Sequence, residues 1–176
     1  MTMKRWYMLT VVGQDRPGIV AHVTAALYEG GCNLGEASMM RLGGNFTIML
    51  MVHHEGSLKS LEQILGPVIE SLDLHMHLDK IEGHLHEHVV PDVRISVFGA
   101  DRAGIVAKVT NVLSGAGLHI LNLESDVGGT SAQPIYIMHI EGQAGEGIEA
   151  LRSALDVVKA GDGIEAKLYP IETMVG

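Results

Sequence analysis

VVGQDRPGIVAHVT, from Val11 to Thr24, returns 86 positions later as VFGADRAGIVAKVT, from Val97 to Thr110. At that offset Val11, Gly13, Asp15, Arg16, Gly18 and Ile19 recur as Val97, Gly99, Asp101, Arg102, Gly104 and Ile105. The match runs on through Val20, Ala21, Val23, Thr24, Leu27 and Gly31. The chain is therefore a tandem duplication, and its identities gather in one loop and the helix start that follows. Loops place backbone groups, so identity concentrated there points to more than a shared core.

Working outward from this phrase, each half shows the same order of elements. Val93, Ile95 and Val97 alternate with Arg94, Ser96 and Phe98, the period of a half-buried strand. Ile105, Val106, Val109, Val112 and Leu113 then follow helical spacing up to Ala116-Gly117, as Ile19, Val20, Val23 and Leu27 do up to Gly30-Gly31. Two hairpins are expected next, Asn33 to Arg41 with Phe46 to His53 through Gly43-Gly44, and Leu118 to Val127 with Ile135 to Ile140 through Gly128-Gly129. A second helix carries Leu58, Leu61, Leu65, Val68 and Leu72 in the first half, where Pro67 should kink or restart it, and Ile148, Leu151, Leu155 and Val158 in the second. A last strand runs from Leu74 to Leu78 with His75 and His77 outward, matched by Ile164 to Leu168 after the turn Gly161-Asp162-Gly163.

Each half reads as β-α-β-β-α-β, which predicts an α+β fold of two ferredoxin-like domains in tandem. The expected boundaries are residues 1–83 and 93–176, with a linker at 84–92. Trp6, Met8, Met49 and Met51 fall opposite Tyr7, Leu9, Ile48 and Leu50, so both faces of the first sheet are apolar. Halves of fewer than 100 residues bury modest cores, and this predicts self-association, most simply as a homodimer.

Composition excludes several classes. With 12 Lys and Arg against 21 Asp and Glu the formal net charge is −9, which disfavours direct nucleic-acid binding. The single Cys32 excludes an intramolecular disulfide and fits a reducing, cytoplasmic setting. Lys4-Arg5 before an apolar run looks like a signal peptide, but the same stretch maps onto Val93 to Phe98 in mid-chain and so reads as a strand. No apolar run approaches the roughly 18 residues of a membrane span. No catalytic arrangement and no dinucleotide or P-loop fingerprint occurs, so neither an enzyme nor a cofactor is expected.

The repeated loop Gly13-Gln14-Asp15-Arg16-Pro17-Gly18 runs from a strand end into a helix start. Pro17 suits a first helical turn, Asp15 or Arg16 would occupy the capping region, and Gly18 would let another group approach the backbone. The free N–H groups of that turn suit a small carboxylate, although Asp15 and Asp101 could instead simply cap their helices. Asn33, expected beside the first helix start, carries a donor and an acceptor suited to an amino acid or to a local turn; His119 stands at its equivalent. His84, His86 and His88 alternate in the join, as do His75 and His77. They read either as solvated linker residues or as metal ligands.

The D-R-P-G-I-V loop, the G-C-N opening of the second strand and the element order resemble the ACT domain, a small-molecule sensing module, in both halves. The segment from Gly31 to Leu50 resembles the glycine cleavage system transcriptional repressor family of tandem ACT proteins. The resemblance implies a non-enzymatic regulator that binds a small amino acid, glycine foremost, between ACT domains. It implies action through a protein partner such as a transcriptional activator, without DNA binding of its own. Carried over by position, the ligand residues are Asp15, Arg16, Pro17, Gly18, Ile19 and Asn33, with Asp101, Arg102, Gly104, Ile105 and His119 in the second half. Ala103 and His119 depart from the pattern. Two alternatives stand beside this reading: a metal-binding module at the histidine-rich join, and a detached regulatory subunit of an amino-acid biosynthetic enzyme.

Overall fold

The computed structural model describes residues 5–82, 89–100 and 104–172. The chain divides into two compact units, residues 1–86 and 87–176. The first contains β1 (Trp6–Gln14), α1 (Ile19–Glu29), β2 (Asn33–Leu42), β3 (Asn45–His53), α2 (Leu58–Ser71) and β4 (His75–Ile81). The second repeats the order as β5 (Val93–Ala100), α3 (Ile105–Gly115), β6 (Leu118–Thr130), β7 (Gln133–Ala144), α4 (Ile148–Asp162) and β8 (Glu165–Pro170). Each unit holds a four-stranded antiparallel sheet, ordered β2-β3-β1-β4 and β6-β7-β5-β8. These are the two βαββαβ domains expected from the sequence.

Alternation along the central strands decides which face meets the helices. Tyr7, Leu9 and Val11 of β1 and Ile48, Leu50 and Val52 of β3 are buried against Ile19, Val23 and Leu27 of α1 and Leu61, Leu65 and Ile69 of α2. The second unit buries Val93, Ile95, Val97, Met138 and Ile140 against Val109, Leu113, Leu151 and Leu155. Each such side chain stabilises its fold by about 1.5–3 kcal/mol. On the opposite face of the first sheet Met8 pairs with Met51 and Thr10 with Met49. There the Trp6 ring lies so close to Gly35 that a Cβ on Gly35 would stand 3.0 Å from it.

Three local readings change. The second hairpin does not turn at Gly128-Gly129: both lie within β6, Gly129 pairs with Pro134, and the strands close at Ser131-Ala132. Gly129 is needed in the strand itself, at φ 85, because a Cβ would stand 2.5 Å from the Gln133 carbonyl. The first hairpin does turn at Gly43-Gly44, whose positive φ values of 57 and 76 suit a two-residue hairpin turn. Gly161 and Asp162 continue α4, and Gly163 alone ends it in the left-handed conformation. Pro67 does not divide α2, which runs unbroken from Leu58 to Ser71. Gly66 before it has no Cβ to clash with the proline ring.

Val90 and Asp92, placed by the sequence in the join, bond to the second unit. Gln143 Nε2 donates to the Val90 carbonyl, and the Asp92 carboxylate accepts from Ala144 N. His84, His86 and His88 lie outside the described residues.

Leu9→Ala, at a position with no exposure, should cost about 2–5 kcal/mol in a chemical denaturation experiment. Gly104→Ala should cost about 1–2 kcal/mol for backbone reasons alone. Its φ is 86, yet nothing lies within 4 Å of where its Cβ would stand.

Candidate functional site

The repeated loop is held at both ends. Gly13 admits Leu74, whose Cδ2 would stand 2.5 Å from a Cβ at that position. Asp15 does not cap the helix. Its backbone N–H donates to the Gly44 carbonyl at 3.0 Å and its carboxylate pairs with Arg41, so it ties the loop to the β2–β3 hairpin. Pro17 likewise precedes the helix instead of opening it. The N-cap is Gly18, at φ 90, which is why the position is glycine: an L side chain would be strained there before any ligand came near.

Past that cap, the first backbone bond is His22 N–H to the Gly18 carbonyl at 3.0 Å. The N–H groups of Ile19, Val20 and Ala21 have no acceptor among the described residues, no side chain caps them, and the first turn has no acidic residue. Helix α3 repeats this with Gly104 as N-cap at φ 86 and Lys108 N–H bonded to its carbonyl at 2.9 Å. The other two helices differ, since Ser57 caps α2 through its side chain and Glu149 stands in the first turn of α4. An uncapped helix start presents oriented donors and the positive end of the helix dipole, which suits a carboxylate. His22 Nδ1 lies 2.7 Å from the Gly18 carbonyl, which sets the ring beside this turn. Asp101 and Arg102 lie outside the described residues.

The remaining predicted groups are not brought together within one domain. Ile19 and Ile105 bury their side chains in the cores, so neither side chain is available to a ligand. Asn33 does not lie beside the start of α1. It pairs with His53, whereas Gly13, at the loop, pairs with Phe46, seven positions away along β3. At about 3.3 Å per residue the two lie about 23 Å apart, at opposite ends of the sheet. The second domain has the same separation, with His119 opposite Gln143 and Gly99 opposite Tyr136. The physical reason is the crossover: α1 carries the chain back along the sheet before β2 begins.

One cluster has no signal in the sequence. Cys32 Sγ lies 3.5 Å from His54 Nδ1, and His54 Nε2 lies 2.6 Å from Ser60 Oγ, whose hydroxyl donates to the Ser57 carbonyl. These residues come from the α1–β2 join, the end of β3 and the first turn of α2, so only the folded chain unites them. Cys32 is buried, as a small core residue would be, and burial pushes its thiol pKa up. Among the described residues no group of three or more His, Cys, Asp or Glu could hold a metal ion, and no helix is long and apolar enough to cross a membrane.

Comparison with known proteins follows the same lines. A family model for the ACT domain matches residues 7–79. The glycine cleavage system transcriptional repressor of Escherichia coli K12 is 25% identical over 126 residues, covering 71% of this chain and 66% of that protein. The match thus spans just under two thirds of that repressor's own length. The UPF0237 protein YjhC of Lactococcus lactis is 38% identical over 72 residues, 40% of this chain and 83% of that protein. Among solved structures, a Galdieria sulphuraria protein described as unknown superposes with a TM-score of 0.77 at 22% identity, over 96% of this chain and 99% of its own. A provisionally assigned glycine cleavage system transcriptional repressor superposes with a TM-score of 0.72 at 21% identity, over 97% and 99%. At these identities the two structures speak for the fold alone.

The buried thiol gives stability a pH dependence of known sign. As pH rises through 9.0, the ordinary thiol value, the unfolded chain loses the Cys32 proton while the folded chain keeps it. Stability is therefore full below that value and declines above it, until the folded pKa is reached. Urea unfolding from pH 7 to 10 should show this decline, and Cys32→Ala should remove that component of it.

Proposed function

The chain belongs to the ACT-domain family, and from that premise we propose that it is a cytoplasmic regulator that binds a small amino acid, glycine foremost, and passes the signal to a protein partner. The observation that carries this reading is the helix start led by a left-handed glycine, with no side-chain cap and no acidic residue in its first turn, present at α1 and again at α3. Ser57 caps α2, and α4, although led by Gly147 without a side-chain cap, places Glu149 in its first turn. A ligand carboxylate accepts from the N–H groups of Ile19, Val20 and Ala21, within the loop formed by Asp15, Arg16, Pro17 and Gly18. Gly104, Ile105 and His119 are the proposed counterparts in the second domain, with Asp101 and Arg102 carried over by the resemblance. The acidic net charge of −9 favours a protein partner, such as a transcriptional activator, over direct contact with DNA.

Asn33 enters through a second copy of the chain. β2 is an edge strand whose ten residues are all exposed, Leu34, Met39, Met40 and Leu42 among them, and such an edge is a template for strand pairing. Two β2 strands paired antiparallel about a two-fold axis bring Asn33 of one copy beside Leu42 of the other. Leu42 follows Arg41, to which Asp15 ties the loop. Asn33 of the second copy then meets the ligand's ammonium while the α1 N–H groups hold its carboxylate, and a homodimer completes the site.

Ala21→Glu separates this reading from a purely structural role for the loop. Ala21 is exposed at the third helical position, where a glutamate reaches the same N–H groups that the ligand would use. The variant should keep or raise its melting temperature, since an acid there stabilises a helix by about 0.3–1 kcal/mol. Calorimetry with glycine, run beside serine and alanine, should show at least a tenfold loss of affinity. Unchanged affinity would show that the helix start does not hold the ligand.

A further inference from the structure

On the outer face of the second sheet, away from the helices, lies a hollow of about 750 Å³ lined in part by Arg94, Ser96, Asn122, Glu124, His139 and Glu141. The register puts these side chains in two rows. Asn122, Glu141 and Arg94 are paired across β6, β7 and β5, with Tyr169 of β8 next in line, and Glu124, His139 and Ser96 form the row beside them. Pro170 and Ile171 wall one side. In the first sheet the matching register positions carry Met8 and Met51 in one row and Thr10 and Met49 in the other. This face is thus polar in the second domain and largely apolar in the first, while both helix-facing cores are aliphatic.

The polar groups are preset. Arg94 donates from Nε and Nη2 to Oε1 of Glu141 at 2.8 and 2.6 Å, so these charges balance and Glu141 Oε2 is left over. Ser96, the one buried polar side chain among the described residues, lies with its Oγ 2.9 Å from His139 Nδ1. Phe98 meets the same imidazole edge-on, with centroids 6.2 Å apart, so two contacts orient that ring. Glu124 has no hydrogen bond or ion pair with any described residue. Lys167 is on the same face but three strands away, about 14 Å across the sheet. The hollow thus holds one uncompensated carboxylate, a second with a spare oxygen, and the Asn122 amide and Tyr169 hydroxyl as neutral partners.

We propose that this hollow is a binding site for a small organic cation, an amine or guanidinium compound, whose charged nitrogen is held by Glu124. A charge-assisted hydrogen bond to an unpaired carboxylate is the strong contact available there. The preset Arg94–Glu141 and Ser96–His139 pairs lower the ordering that binding requires. The site is separate from the α1 helix start and does not depend on the amino-acid reading.

Agmatine, which carries an amine and a guanidinium but no carboxylate, is the probe, titrated into the full chain with His139 imidazole resonances as the readout. Those resonances are assigned by their loss in His139→Gln. Saturable shifts are expected, absent with uncharged butylurea, and Glu124→Gln should weaken binding at least tenfold. Glu124 is exposed, so that variant keeps the fold, and Ala21→Glu should bind agmatine like the parent chain. No saturable shift at millimolar agmatine, or equal affinity in Glu124→Gln, would overturn the proposal.

Discussion

A left-handed glycine, Gly18 at φ 90, lets the chain leave β1 and enter α1 without a side-chain cap, and most of the site's character descends from that turn. A serine or aspartate at the cap would have satisfied the helix start internally, as Ser57 does for α2. With glycine there, the first N–H groups have no acceptor among the described residues. The loop before it is still not loose, because Gly13 packs on Leu74 and Asp15 is tied to Gly44 and Arg41. The donors are therefore held in place by the sheet, with the Ile19 side chain in the core and His22 Nδ1 against the Gly18 carbonyl.

The sheet's topology sets a second constraint. Because α1 returns the chain to the far end before β2 starts, no single domain can bring its own Asn33 to its own helix start. The separation of about 23 Å is a matter of strand length, not of side-chain choice. Any ligand touching both must be shared between domains. That is why an exposed, apolar β2 edge bears on function as well as on solubility.

The element order was legible because the duplication supplied two independent copies of each period, and α1 and α3 share the same start. Structure departs from the sequence pattern where a glycine does more than punctuate the chain. Gly43-Gly44 does turn the chain, but Gly129 serves a close backbone approach inside β6, and Gly161 continues a helix. At Gly18 the sequence suggests room for a ligand, but the first reason for glycine there is its own φ. Asn33 departs from its expected place because spacing along the chain does not reveal which end of a sheet a strand begins from. The Cys32–His54–Ser60 cluster and the rows around His139 depend on cross-strand and helix packing, which no local period encodes.

The central claim, that two copies share each amino-acid site, is most directly tested by complementation. In a background carrying Ala107→Glu to close the α3 start, chains bearing Ala21→Glu and chains bearing Asn33→Ala are each titrated with glycine, then unfolded together, refolded and titrated again. Each variant alone should bind little. In the mixture half of the dimers are mixed, each with one intact site, so about a quarter of the sites of the Ala107→Glu background should return at that background's affinity. A mixture that binds no better than either variant alone would contradict the shared site.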